Sequence, residues 1–147
     1  MIRLTKEFKF EMAHALFDYD GLCANLHGHS YKLAVTVRGV VQKEVSGPKN
    51  GMVLDFSVLK KIVKPLIVDK YDHSLVLNSN SPHAKIDLSF FDRVHYLPYQ
   101  PTSENLVTDF AKQILAKLPK GIELYKVVLS ETATSFAEWN CTDNKQK

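Results

Sequence analysis

The residues with the most chemical content lie in Cys23-Ala24-Asn25-Leu26-His27-Gly28-His29, where two imidazoles and a thiol fall within one short stretch. If Ser30 to Arg38 runs as a strand, side chains two apart share a face, so His27 and His29 point the same way as a bidentate metal clamp. Tyr31, Leu33, Val35 and Val37 continue that face as an apolar row, while Lys32, Thr36 and Arg38 take the other. A third imidazole, His14, ends an earlier alternating run that carries Phe8, Phe10 and Met12 on one parity. Antiparallel pairing of the two runs brings His14 back beside the His-Gly-His end. Three protein nitrogens with a fourth position open is the pattern of catalytic zinc, whereas a closed set that includes cysteine is structural. A lone histidine at a hairpin end is most often a surface residue, but the triplet favours zinc. Cys23 leaves both versions open. As a fourth ligand it closes a structural site; left free beside a cation it acts as a thiolate base or nucleophile. The three residues between Cys23 and His27 give slack to face a substrate, which favours the free thiol.

The elements that must hold these groups follow from pattern. Ile2 to Met12 alternates as a half-buried strand, and a second strand runs from about His29 to Val41. The Ser, Gly, Pro and Asn content of Glu44 to Gly51 marks a turn. Asp55 stands as N-cap before Val58, Leu59, Ile62, Val63, Leu66 and Ile67 at helical spacing, and Pro65 should kink that helix. Asn78 to Asp87 reads as a surface loop, and Arg93 to Leu97 as a short strand. Thr102 or Ser103 caps a second helix whose buried stripe is Leu106, Val107, Phe110, Ala111, Ile114, Leu115 and Leu118, with Glu104 suited to the helix dipole. Pro119 and Gly121 end it. Tyr125, Val127 and Leu129 make a third strand, and Phe136 to Trp139 supplies a fourth.

Three further groups carry chemistry. Asp72 beside His73 can orient or charge the imidazole, although an incidental loop pair reads equally well. Glu131 ends a mostly apolar strand and is the carboxylate most in need of a partner. The two N–H donors of a guanidine-like heterocycle edge match its two oxygens; a lysine or a backbone N–H is the plainer alternative. Asp18 and Asp20 read as a solvated turn, and His83 and His95 as solvent-facing or structural.

A length of 147 residues fits a single domain, residues 1–147, large enough for a real core. Hydrophobic residues at 45% and charged residues at 24% describe an ordinary soluble globular chain. The net charge of +3 suits a small anionic substrate and falls far short of a nucleic-acid-binding surface. Cys23 and Cys141 form no Cys-x-x-Cys pair, so a disulfide framework is not expected and a reducing compartment fits. No stretch resembles a signal peptide or a membrane span, which points to the cytoplasm.

Taken together, Phe10-x-x-x-His14, Cys23-x-x-x-His27-Gly28-His29, Leu54-Asp55-Phe56, Asp72-His73, Pro101-Thr102-Ser103-Glu104-Asn105 and Glu131-Thr132 resemble the 6-pyruvoyl-tetrahydropterin synthase family, in order and over nearly the whole chain. The Cys23 to His27 spacing looks like the bacterial 6-carboxytetrahydropterin synthase branch, which serves queuosine and other deazapurine pathways. The resemblance implies an α+β tunnelling fold: an antiparallel four-stranded sheet with two helices inserted between strands 2 and 3. It further implies a homohexamer built as a dimer of trimers, with active sites between subunits. The implied reaction is a zinc-dependent lyase step that converts 7,8-dihydroneopterin triphosphate to 6-carboxy-5,6,7,8-tetrahydropterin, releasing acetaldehyde and triphosphate. By the same resemblance His14, His27 and His29 hold Zn2+, Cys23 is the general base, and Asp72 and His73 form its proton relay. Glu131 would anchor the pterin's amino-pyrimidine edge and join the relay, and Thr102, Ser103 and Glu104 would line the pterin pocket. Alternatives are 6-pyruvoyl-tetrahydropterin synthase itself and a non-catalytic protein in which Cys23 and the three histidines close a structural zinc. Two departures from the family stand out: Ala15 where many relatives carry a basic side chain, and a longer stretch from Asn78 to Pro98.

Overall fold

A computed structural model of the chain describes residues 1–43 and 46–144. Glu44 and Val45, at the start of the expected turn, lie outside the described residues; from Ser46 to Gly51 the chain bends as the composition suggests, with Gly51 at a left-handed φ of 79°.

The sheet is built on two long strands, β1 (Ile2–His14) and β2 (His27–Gly39), paired antiparallel along their whole length. Cross-strand partners share a face, so Phe10 with Tyr31, Met12 with His29 and His14 with His27 form one continuous row. That row faces the helices, and Phe10, Met12, His14, Tyr31, Leu33, Val35 and Val37 are all buried there. The opposite face carries Glu7, Glu11 and Lys32.

Six strands, not four, make up this sheet, and it is mixed rather than antiparallel: its order is β4-β3-β1-β2-β5-β6. The four-stranded antiparallel expectation is overturned by β3 (Ser74–Asn78) and β4 (Val94–Leu97). β3 runs parallel to β1 across Met12–His14, and β4 runs parallel to β3. Both strands lie between the two helices in sequence, so the helices do not form one uninterrupted insertion. The physical reason is local. Ser74-Leu75-Val76-Leu77-Asn78 buries Val76 and Leu77 as consecutive residues, the continuous apolar run of a strand packed on both faces, and offers no alternation to read. The surface loop expected over Asn78 to Asp87 holds the end of β3 and a 3-10 turn (Pro82–Lys85), and β4 falls where the short strand from Arg93 to Leu97 is expected. β5 (Glu123–Ser130) and β6 (Phe136–Asn140) complete the antiparallel side.

Helix α1 (Phe56–Val63) starts at Asp55, whose carboxylate accepts from the Ser57 N–H at 2.8 Å. Pro65 has no N–H to give and its ring crowds the carbonyl one turn back, so the helix widens into a π turn over Lys64–Val68 before a last α turn at Asp69–Tyr71. Helix α2 (Ser103–Leu115) is capped by Thr102, which accepts from the Asn105 N–H at 3.3 Å. Leu106, Val107, Phe110, Ala111 and Ile114 are buried as its pattern requires, whereas Leu115 stays exposed at the last turn. Leu59, Val63, Ile67, Tyr71 and Phe110 close the core over the β1–β2 row. Truncating fully buried Leu59 to Ala should cost about 2–5 kcal/mol. No helix among the described residues is long and apolar enough to cross a membrane.

Candidate metal centre

Three imidazoles meet where β1 ends and β2 begins. Their ligating nitrogens all lie within 4.8 Å of one another, and His14 is buried while His27 and His29 are half-buried. The register produces this directly, because His14 lies across from His27 and Met12 across from His29. Gly28, between the two β2 histidines, faces Ala13; a Cβ there would stand 3.3 Å from the Met12 carbonyl oxygen, a close approach that glycine avoids.

The tautomers follow from backbone partners. His14 Nδ1 donates to the Pro101 carbonyl at 2.7 Å, and His27 Nδ1 donates to the Asn25 carbonyl at 2.7 Å. Carbonyls only accept, so each neutral ring carries its proton on Nδ1 and presents a lone pair on Nε2. Those two Nε2 atoms are 3.0 Å apart. Between neutral rings this is lone pair against lone pair. His29 Nε2 is buried without any hydrogen-bond partner. Burial pushes the His14 and His29 imidazoles below their ordinary value, which keeps both neutral. A cation satisfies all three nitrogens at once, and the outer carbonyls orient the rings for it. The donor set therefore fits a metal ion.

Glu131, at the β5 end, turns one oxygen to this cluster. Its Oε1 is 3.4 Å from Nε2 of both His14 and His29 and accepts from the Tyr31 hydroxyl at 3.2 Å. Cys23 lies on the 3-10 turn Leu22–Ala24, half-buried and free, with its carbonyl accepting from the Leu16 N–H at 3.0 Å. It is not among the groups close enough to share the ion with the three histidines. Pro101 leads into Thr102, Ser103 and Glu104, so the bond from His14 ties that segment to the cluster. Of these, Thr102 spends its hydroxyl as the cap, Ser103 has a buried Oγ without a partner, and Glu104 is exposed.

Asp72 and His73 find their partners elsewhere on β1 and in each other. Their bonds run to the backbone of Glu11, whose side chain belongs to the face turned away from the helices: the Glu11 N–H donates to Asp72 at 2.8 Å and the His73 N–H donates to the Glu11 carbonyl at 2.7 Å. His73 Nδ1 donates to Asp72 at 2.9 Å, and its ring is 76% exposed. The Glu11 amide, helped by His73, holds the Asp72 carboxyl below its usual range. Among the described residues no hydrogen bond or ion pair links this pair to Cys23 or the three histidines.

Sequence reasoning missed Tyr31, Pro101 and Asn25. Tyr31 reads simply as one of an apolar row, and a carbonyl has no residue-type signal. His95 and His83, both expected to be solvent-facing or structural, respectively bond the Lys70 carbonyl at 2.7 Å and pack edge-on against Phe17.

The chain is 36% identical to a 6-carboxy-5,6,7,8-tetrahydropterin synthase of Haemophilus influenzae over 95% of its own length and 99% of that protein. It is 37% identical to one of Synechocystis over 92% of its length and 91% of that protein. Among solved structures, a 6-pyruvoyl tetrahydropterin synthase of Caenorhabditis elegans superposes with a TM-score of 0.68 at 28% identity, covering 95% of this chain and 94% of that one. An uncharacterized Wolinella succinogenes protein shares the fold with a TM-score of 0.80 at 20% identity, covering 95% and 97%. The family model for 6-pyruvoyl tetrahydropterin synthase matches residues 3–141, and with these relatives it shows that the chain belongs to that family.

Proposed function

We propose that this chain is a zinc-dependent 6-carboxytetrahydropterin synthase, a lyase that converts 7,8-dihydroneopterin triphosphate to 6-carboxy-5,6,7,8-tetrahydropterin with release of acetaldehyde and triphosphate. A place in queuosine or another deazapurine pathway and a cytoplasmic location belong to the same proposal. The observation that carries it is the meeting of three imidazole nitrogens within 4.8 Å of one another, with a free cysteine that is not part of the ligand group. The relatives' name, 6-carboxy-5,6,7,8-tetrahydropterin synthase, supports the product side of this reading.

His14, His27 and His29 hold Zn2+, which when bound supplies Lewis acidity to the side-chain hydroxyls of the substrate. Cys23 takes the proton from the substrate side chain as general base. Asp72 fixes the His73 tautomer through Nδ1, which leaves Nε2 free to accept or return a proton. Glu131 anchors the amino-pyrimidine edge and joins the relay, while Thr102, Ser103 and Glu104 line the pterin pocket. The unpartnered Ser103 Oγ supports this lining role.

Active sites formed between subunits of a homohexamer, a dimer of trimers, belong to the same proposal. Two sheet edges favour that assembly. β3 covers β1 only from Met12 to His14, and β6 has β5 on one side alone, so both offer unpaired backbone to another copy.

The deciding experiment is incubation with 7,8-dihydroneopterin triphosphate with and without a chelator, with the product identified by mass. A carboxy product that disappears with the metal is expected. A pyruvoyl product would move the chain to the other branch, and no product in either arm would leave a metal-binding protein without this activity.

A further inference from the structure

We propose that Arg93 is the positioning residue of the Asp72–His73 pair, a role that rests on the proton-relay reading of that pair. Arg93 lies in the stretch between β3 and β4 that matches none of the motifs of the resemblance. Its guanidinium donates from Nε to the Asp72 carbonyl at 2.9 Å and from one terminal nitrogen to the carbonyls of Asp69 at 2.6 Å and Lys70 at 2.9 Å. Its own carbonyl accepts from the Leu75 N–H at 2.9 Å. One residue thus grips the backbone on both sides of His73.

That grip answers a local need. The last carbonyls of a helix lack partners within it, and a planar guanidinium fork can meet several of them together. His73 sits at a φ of +55°, a conformation that a residue with a Cβ adopts at a cost and keeps only where its surroundings hold it. β1 supplies part of that hold through the two Glu11 backbone bonds, the Asp72 N–H adds a bond to the Val68 carbonyl, and Arg93 adds its three bonds to the carbonyls of Asp69, Lys70 and Asp72. Nδ1 is committed to Asp72, which leaves Nε2 free, and His73 lines a cavity of about 720 Å3 together with Ser74, Leu26, Phe90, Phe91 and Arg93 itself. The guanidinium bonds of Arg93 in this arrangement all go to backbone carbonyls. Arg93 acts through the angle at which His73 is presented.

The test uses the full-length zinc-loaded protein, with 15N-histidine spectra recorded alongside turnover of 7,8-dihydroneopterin triphosphate. In Arg93→Ala, kcat should fall about tenfold to a hundredfold while KM stays nearly constant, the pattern of a misaimed group. The His73 Nδ1 resonance should move, and millimolar guanidinium should restore part of both. Unchanged kcat with an unchanged His73 resonance overturns the proposal, as does a loss of kcat that guanidinium does not relieve while the resonance stays put. If Arg93→Ala does not fold, Arg93→Lys, which replaces the fork by a single ammonium, carries the same readings. Full turnover by His73→Ala would sink the relay reading instead, and the His73 resonance in the Arg93 variants still decides whether Arg93 sets the ring.

Discussion

The Tyr31 hydroxyl reaches across 100 positions of sequence to donate to Glu131 at 3.2 Å. Tyr31 is only 1% exposed, with its ring stacked on Phe10 at 5.3 Å between centroids. Burial, and then the charge of Glu131, pushes its hydroxyl pKa far up, so it stays a donor at every working pH. Tyr31→Phe keeps the ring and deletes the donor. Metal content should stay the same, stability in denaturant should drop by about 1 kcal/mol, and kcat should fall by about tenfold. An unaltered kcat would mean that Glu131 needs no such hold.

Removal of one imidazole should empty the metal centre. His27→Ala should bring zinc content, measured on the purified protein, well below that of the parent, and an unchanged content would take His27 out of the ligand set. A chelator should lower the melting temperature of the parent protein, since zinc at a thousandfold its Kd adds about 4 kcal/mol of stability. The melting temperature of the variant should hardly respond.

For the thiol, the expectation runs the other way. Cys23→Ala should retain its zinc and its fold yet lose turnover, because Cys23 is not among the groups placed to hold an ion with the three histidines. Loss of metal together with the fold would instead favour a closed structural site. Cobalt substitution gives a second reading: a sulfur-to-metal charge-transfer band in the resting protein would place Cys23 in the ligand set.

Much of this was legible because chemistry and pleat coincide. His14, His27 and His29 have the parity of their strands, and one register between β1 and β2 is enough to gather them. Asp55 and Thr102 announce their helices by residue type, and Pro65 announces its disturbance. What escaped depends on long-range pairing. Ser74–Asn78 is five residues of parallel strand, too short to show a period, and its identity as β3 comes from its neighbours β1 and β4. The carbonyls of Pro101 and Asn25 fix two tautomers, yet any residue supplies a carbonyl. Glu131 shows the same limit, since its strand-end position is readable and its convergence with Tyr31 and two histidines is not.

Acid should weaken the metal-free protein through its histidines. Burial holds His14 and His29 below the ordinary value of 6.5, so the unfolded chain binds protons that the folded one refuses. The contribution is then complete above 6.5 and is lost as pH falls from 6.5 toward the depressed folded values. Urea titrations of chelated protein at a series of pH values should show declining stability across that window, and His14→Gln should flatten the decline. Zinc affinity should fall over the same range, since the ion and the proton compete for Nε2.

Pro65 also sets an azimuth. The wide turn at Lys64–Val68 holds more residues than an ordinary helical turn, and everything after it is rotated accordingly about the helix axis. Deleting one residue there would leave a plausible helix of nearly the same length, but would swing Asp72 and His73 by about 100° around that axis. A helical irregularity that looks like a packing defect is thus what lets Asp72 and His73, just past the Asp69–Tyr71 turn, meet the backbone of Glu11.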